Sequence, residues 1–201
     1  MESKVKIALF ASGKGSNAIN LLRYTLDDNR FSFPIVITDN PDAEIIKNLS
    51  DFDLELFVIQ RNKNETKYNY ERRLLYILNK FNIDWVLLAG FMKILSPYFI
   101  RRFYFDKFNF SKIVNIHPSL LPKFKGLNGF EQTFNSNDSI GGVTIHHVNE
   151  SIDDGQIIAQ AKIDIDRSKD FSFFLEEGKR IEHQLYPIIF NYILHKESNV
   201  C

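Results

Sequence analysis

"KIALFASGKGSNAINLLRYTLDDN", residues 6–29, joins a short apolar run, a turn bearing two glycines and a longer segment whose apolar positions recur at helical spacing. That succession predicts strand, tight turn, helix. Outward from it the pattern repeats. "FPIVIT" (33–38), "DAEIIKNLSDF" (42–52), "LELFVIQ" (54–60) and "NETKYNYERRLLYILNKF" (64–81) read as strand, helix, strand, helix. "DWVLLAG" (84–90) is a continuous apolar run, suited to a central strand covered on both faces. "KIVNIH" (112–117) reads as the next strand. "GGVTIHHV" (141–148) and "GQIIAQAKIDI" (155–165) follow with only the turn-rich "NESIDD" between them, too short for a crossover helix, so they are expected to pair antiparallel. A final helix is expected from about Asp170 to His195, and "FYFDKFNFSK" (103–112) reads as a loop or helix end. The predicted class is α/β: a Rossmann-like, mostly parallel sheet flanked by helices, with an antiparallel C-terminal part, in a single domain over 1–201.

Composition narrows the function. Twenty-five basic and 25 acidic side chains cancel, which leaves no electrostatic footprint for nucleic acid or an anionic membrane and favours small-molecule partners. The one cysteine, Cys201, excludes an intramolecular disulfide framework and any cysteine-rich metal site. A reducing compartment, the cytoplasm, is expected. No run of about 18 apolar residues predicts a spanning helix, and "IALFA" leads into "SGKGSN" rather than a cleavage site.

The turn "FASGKGSNAI" places Gly13 and Gly15 between strand and helix, with Ser16 and Asn17 at the helix start. Glycine permits the sharp turn and a close ligand approach, and free N–H groups at a helix start attract an anion such as phosphate. A tight turn with no ligand fits the same residues. So does a dinucleotide fingerprint, because Gly13, Gly15 and Ala18 form G-x-G-x-x-A and Asp39 follows 21 residues later. Nothing further along the chain points to hydride transfer, and no Walker A loop occurs.

Asn115 and His117 are two apart on a predicted strand, so they project from one face at the C-terminal end where open α/β sheets collect ligands. Imidazole can give or take a proton near neutrality. An amide can donate to an oxygen that becomes negative. A strand-end pair satisfied by backbone is the alternative. Asp153, in the turn before Gly155, can reach the imidazole and stabilise its charged form, or it can simply favour the turn. Of His146 and His147, alternation sends one to each face, and either can be structural. The His and Asp spacing suggests no metal site.

These residues carry a resemblance. "NIHPSLLPKFKG" (115–126) is similar to the signature of the 10-formyltetrahydrofolate-dependent formyltransferases, and "GKGSN" resembles members acting on glycinamide ribonucleotide. "AGFMKILSP" (89–97), "GGVTIHHVNESIDDGQIIAQ" (141–160) and "EHQLYP" (182–187) occur in the family's order. The resemblance implies a Rossmann-like formyltransferase fold and a metal-free enzyme of purine biosynthesis. Glycinamide ribonucleotide and 10-formyltetrahydrofolate are its implied substrates, and the chain is expected as a monomer or homodimer. By the same resemblance Asn115, His117 and Asp153 are catalytic. Gly15, Ser16 and Asn17 hold the substrate phosphate, and Lys179 and Glu182 contact the substrate elsewhere. Met92, Lys93, Ile94 and Leu95, with Asn149, Glu150, Ser151, Ile152 and Asp153, frame the folate beside Asn115, and Lys67 lies near it. Protonated His117 and Asn115 are expected to stabilise the oxyanion. Three features depart from the pattern: "LNGFEQ" after Gly126 replaces a histidine-containing stretch, Lys179 stands where a neutral side chain is common, and "FDKFNFSK" lengthens the approach to the catalytic strand. A formyltransferase for another amine, such as an amino sugar nucleotide, and a non-catalytic nucleotide or folate module are the rival readings.

Overall fold

The opening stretch folds as the sequence predicts, into β1 (Val5–Phe10), a turn and α1 (Ser16–Tyr24). The computed structural model describes residues 4–198, so Cys201 lies outside the described residues. Next come β2 (Phe31–Thr38), a single helical turn α2 (Ile45–Asn48), β3 (Glu55–Val58), α3 (Lys67–Lys80) and β4 (Trp85–Leu88). Then follow α4 (Pro97–Arg101), β5 (Tyr104–Phe105), β6 (Phe110–Ser111) and β7 (Ile113–His117). The remainder is α5 (Gly129–Asn135), β8 (Ile140–His147), β9 (Ile157–Asp164), α6 (Phe171–Leu185) and α7 (Ile189–Ser198).

Contacts gather these elements into two units. One runs to Asn115 and takes in Val148–Glu150; the other holds Ile116–His147 and the described residues from Ser151 onward. In the first unit, parallel strands lie in the order β3-β2-β1-β4-β7. Ile7 to Phe10 of β1 and all of β4 are buried, as helices on both faces of a parallel sheet require. One core packs Phe10, Ile37 and Leu88 against Leu74 and Leu78 of α3 and Phe99 of α4. α3 starts where Thr66 caps it, accepting the N–H of Asn69 at 3.2 Å.

The aromatic stretch is neither a loop nor a helix end. β5 and β6 form a small antiparallel hairpin. Phe110 sits 6.3 Å from the ring of fully buried Trp85, and the Lys112 ammonium lies over the rings of both Phe105 and Trp85. The added residues therefore cover the outer side of Trp85.

In the second unit, β8 and β9 pair antiparallel as expected, with a register shift after Ile145 where Ile158 becomes the extra residue. The C-terminal helix differs from its expectation. α6 begins where Asp170 accepts the N–H of Phe173, but the helix breaks into a 3-10 turn at Tyr186–Ile188 before α7. Pro187 is the cause, since it supplies no N–H to continue the helical ladder. Among the described residues no helix is long and apolar enough to cross a membrane.

Candidate active site

His117 ends β7 with only 3% of its surface exposed, and both ring nitrogens have partners. Nε2 lies 2.8 Å from the carbonyl oxygen of Phe124, which fixes Nε2 as the protonated nitrogen. Nδ1 lies 3.3 Å from Oδ2 of Asp153. The same Oδ2 accepts the N–H of Gly126 at 2.8 Å, and Oδ1 faces Nε2 of His146 at 3.5 Å. His146 is held in turn by its Nδ1–H, which donates to the carbonyl of His147 at 2.8 Å. Asp153 therefore stands between two buried imidazoles, each tied to a backbone carbonyl through its far nitrogen.

Electrostatics sets the resting charges. Burial pushes the His117 pKa below its ordinary 6.5, with the Phe124 carbonyl and the Asp153 charge opposing it. Burial works to raise the Asp153 carboxyl, but the His146 hydrogen bond, the Gly126 N–H and the charge of the two imidazoles together hold it below the usual carboxylate range. At neutral pH the pair is thus an ionised Asp153 and a neutral His117. The protonated His117 expected at the oxyanion therefore has to gain its proton during the reaction, because burial favours the neutral ring at rest. A contact of 3.3 Å is long for a charge-assisted hydrogen bond and leaves room to tighten once the ring takes a proton.

In the first unit, Gly15 adopts φ 69 and caps α1. A Cβ there would lie 2.8 Å from the Cβ of Ile45, so only glycine lets α2 pack against the turn. Ser16 and Asn17 open α1, whose first N–H groups have no acceptor within the helix. Asp39 does not serve as a ribose ligand. It is buried, accepts the Ser12 hydroxyl and pairs with the Lys93 ammonium at 3.3 Å, which removes the structural support for a dinucleotide site.

Met92, Lys93, Ile94 and Leu95 form an irregular segment between β4 and α4. The Met92 N–H is committed internally, donating to Ser12 Oγ at 2.8 Å. Met92 and Ile94 are exposed whereas Leu95 is buried, so the segment is anchored by one side chain and open on the other side. Lys67, half-buried, lies one turn before Glu71 on the same face of α3, and Glu71 bonds Ser96 at the end of this segment.

A family model described as formyl transferase matches residues 5–189. The chain belongs to the formyl transferase family. Among curated proteins it is similar to the phosphoribosylglycinamide formyltransferase of Bacillus subtilis (strain 168), with 30% identity over 190 residues and 94% of each chain covered. The Haemophilus influenzae protein of the same name is 32% identical over 185 residues, covering 92% of this chain and 84% of that one. Among solved structures, phosphoribosylglycinamide formyltransferase from Bacillus halodurans matches with a TM-score of 0.87 at 32% identity, covering 96% of both chains.

Within this formyl transferase, the predicted site residues fall in both units. Asn115 is half-buried on β7, paired in register with Leu88, two residues before His117. Asn149 and Glu150 belong to the first unit, Ser151, Ile152 and Asp153 to the second, and all but Asp153 are exposed in the β8–β9 connection. Glu182 is buried on α6, and Lys179, one turn earlier, is exposed. Asp154 pairs with Lys125. The "LNGFEQ" departure has a packing logic: the Phe130 ring lies where a side chain at Gly178 would be, so α5 and α6 approach closely. The sequence left His146 undecided. Its role as the second partner of Asp153 depends on the bulge beside it, which no alternation pattern displays.

Proposed function

We propose that this formyl transferase moves the formyl group of 10-formyltetrahydrofolate to the amine of glycinamide ribonucleotide, giving formylglycinamide ribonucleotide and tetrahydrofolate. The observation that carries the reading is the buried His117, oriented by the Phe124 carbonyl and facing Asp153, two residues after Asn115 on one strand. The names of the relatives point to the same ribonucleotide. The match from residue 5 to 189 supports reading 1–201 as one formyltransferase module.

The reaction must take one proton from the attacking amine and deliver one to N10 of the folate. Attack of the amine on the formyl carbon forms a C–N bond and leaves a tetrahedral carbon bearing an oxyanion. Neutral His117 accepts the amine's proton at Nδ1, directly or through water, because Nε2 already donates to Phe124. The imidazolium so formed is paired with Asp153 through Nδ1 and with the Phe124 carbonyl through Nε2, so it stabilises the oxyanion by its charge while the Asn115 amide donates the hydrogen bond. One such donor contributes about 3–4 kcal/mol in comparable holes. Collapse of the intermediate breaks the bond from carbon to N10, and the proton passes to N10 as tetrahydrofolate leaves. His117 is neutral again.

Gly15, Ser16 and Asn17 are assigned to the substrate phosphate, with Lys179 and Glu182 as further substrate contacts. The segments 92–95 and 149–153 are assigned to the folate, with Lys67 near it. The test is turnover by purified protein with both substrates, following tetrahydrofolate formation. Turnover only with a different amine, such as an amino sugar nucleotide, sinks the substrate assignment. Folate binding without product from any amine reduces the chain to a binding module.

A further inference from the structure

The segment assigned to the folate is pinned at both ends by a buried carboxylate and a serine. At its start, Ser12 Oγ accepts the Met92 N–H at 2.8 Å and donates to Asp39, whose other oxygen faces the Lys93 ammonium at 3.3 Å. At its end, Glu71 Oε1 accepts the Ser96 N–H at 2.7 Å and Oε2 accepts the Ser96 hydroxyl. Glu71 is 1% exposed in the middle of α3, a position where an apolar side chain would pack without penalty. A buried carboxylate is costly unless both oxygens are bonded, and here both are spent on Ser96. Between the two anchors, the N–H groups of Lys93, Ile94 and Leu95 have no acceptor among the described residues. Their donors form a short strip of unpaired backbone, fixed in place from both sides.

We propose that Ser12–Asp39 and Glu71–Ser96 are positioning pairs that hold residues 93–95 as a preorganised hydrogen-bonding edge for the co-substrate's heterocycle. The inference rests on the reading of 92–95 as folate-binding. A fused heterocycle bearing ring nitrogens and a carbonyl offers acceptors along one edge, and a fixed backbone strip meets it with no loop to order on binding. Neither pair needs to touch the ligand, so their removal weakens folate binding and spares both the chemical step and the ribonucleotide.

The test uses the full chain with Ser12→Ala, Glu71→Ala and Glu71→Gln. Tetrahydrofolate affinity is read by calorimetry beside kcat, both KM values and thermal midpoints. Ser12→Ala and Glu71→Ala are expected to weaken tetrahydrofolate binding and raise the folate KM by about tenfold, while kcat stays within about threefold and the ribonucleotide KM within about twofold. Glu71→Gln can still accept the Ser96 N–H and donate to its hydroxyl, so it is expected to retain wild-type folate affinity within about twofold. If Glu71→Ala does not fold, Ser12→Ala decides alone. A folded Ser12→Ala protein with unchanged folate affinity, or one losing both ligands by the same factor, overturns the inference. Wild-type protein that binds no tetrahydrofolate overturns the folate reading itself, a result distinct from wild-type binding that survives in the variants.

Discussion

Asp153→Asn removes one charge and almost no volume. Asp153 Oδ2 accepts the Gly126 N–H at 2.8 Å, and the asparagine oxygen can do the same, so the turn keeps its anchor. What disappears is the negative charge 3.3 Å from His117 Nδ1. Two unit charges at that separation attract by about 5 kcal/mol at an effective dielectric of about 20. The carboxylate keeps some solvent contact, and the imidazole is charged only part-way through the reaction. About half of the attraction, roughly 2.5–3 kcal/mol, is therefore lost at the barrier, about a hundredfold in kcat. The assay is steady-state turnover with both substrates saturating, at several pH values. The ribonucleotide KM should stay within about twofold, since the change removes a contact formed in the transition state. The pH profile supplies a second reading. The proposed mechanism starts from neutral His117, and burial holds its pKa under 6.5, so kcat/KM should rise with pH along a limb centred below 6.5. Asp153 raises that pKa, so Asp153→Asn should move the limb to lower pH. A variant with kcat within about threefold of wild type, or a limb displaced to higher pH, refutes the assigned pairing.

Gly15→Ala forces a Cβ to within 2.8 Å of the Ile45 Cβ at a left-handed backbone position. It should lower stability by about 2–3 kcal/mol and raise the ribonucleotide KM at least about tenfold, with the folate KM little changed. Gly178→Ala places a methyl 2.6 Å from Cε1 of Phe130. A loss of about 1–3 kcal/mol in urea unfolding is expected, largely absent when Phe130→Ala accompanies it; a full loss in the double variant contradicts the packing. His117 and His183 both have folded-state pKa values lowered by burial, so the unfolded chain binds more protons below about pH 6.5. Their stabilisation is complete above that pH and is lost as pH falls toward the folded-state values. Asp153, also lowered, adds a loss of the same sign below about pH 3.8. The urea midpoint should be lower at pH 5.5 than at pH 7.5, and a higher one at pH 5.5 removes the burial argument.

The parallel half of the fold was legible because β1 and β4 are buried on both faces and read as continuous apolar runs. Length and punctuation were less legible. "DAEIIKNLSDF" looked like a full helix but yields only Ile45–Asn48. Ile45 is committed to packing against Gly15, and its N–H donates to the Gly13 carbonyl, so the turn before β3 is set by the glycine loop and not by helical periodicity. α4 and α5 escaped notice because five and seven residues carry too little periodicity to detect. Asn115, His117 and Asp153 were visible as chemistry-bearing residues in turn and strand-end contexts. Ser12, Asp39 and Glu71 were not visible as a supporting set, because their partners lie 25 to 80 residues away and a serine or glutamate at such positions has no local signature.

Backbone geometry adds an argument that neither motif nor composition supplies. Among the described residues, five that are not glycine adopt positive φ: Asn82, Asn109, Phe124, Asn128 and Asp153. Asparagine enters the left-handed region at little cost, so three of the five need no special cause. The other two are the residues that touch His117, Phe124 at φ 54 through its carbonyl and Asp153 at φ 47 through its carboxylate. Phenylalanine has no side-chain polar group to ease that conformation, so its strain, of order 1–2 kcal/mol, persists because the surrounding contacts impose it. Ser119 donates to the carbonyl of Lys123 at 2.7 Å, Gly126 is tied to Asp153 at 2.8 Å, and Phe124 is caught between them. The strain is spent aiming one carbonyl at Nε2. With Nε2 held by that carbonyl, Nδ1 is the nitrogen that can take up a proton, and it does so already facing the Asp153 carboxylate, so the imidazole needs no reorientation to become an ion pair.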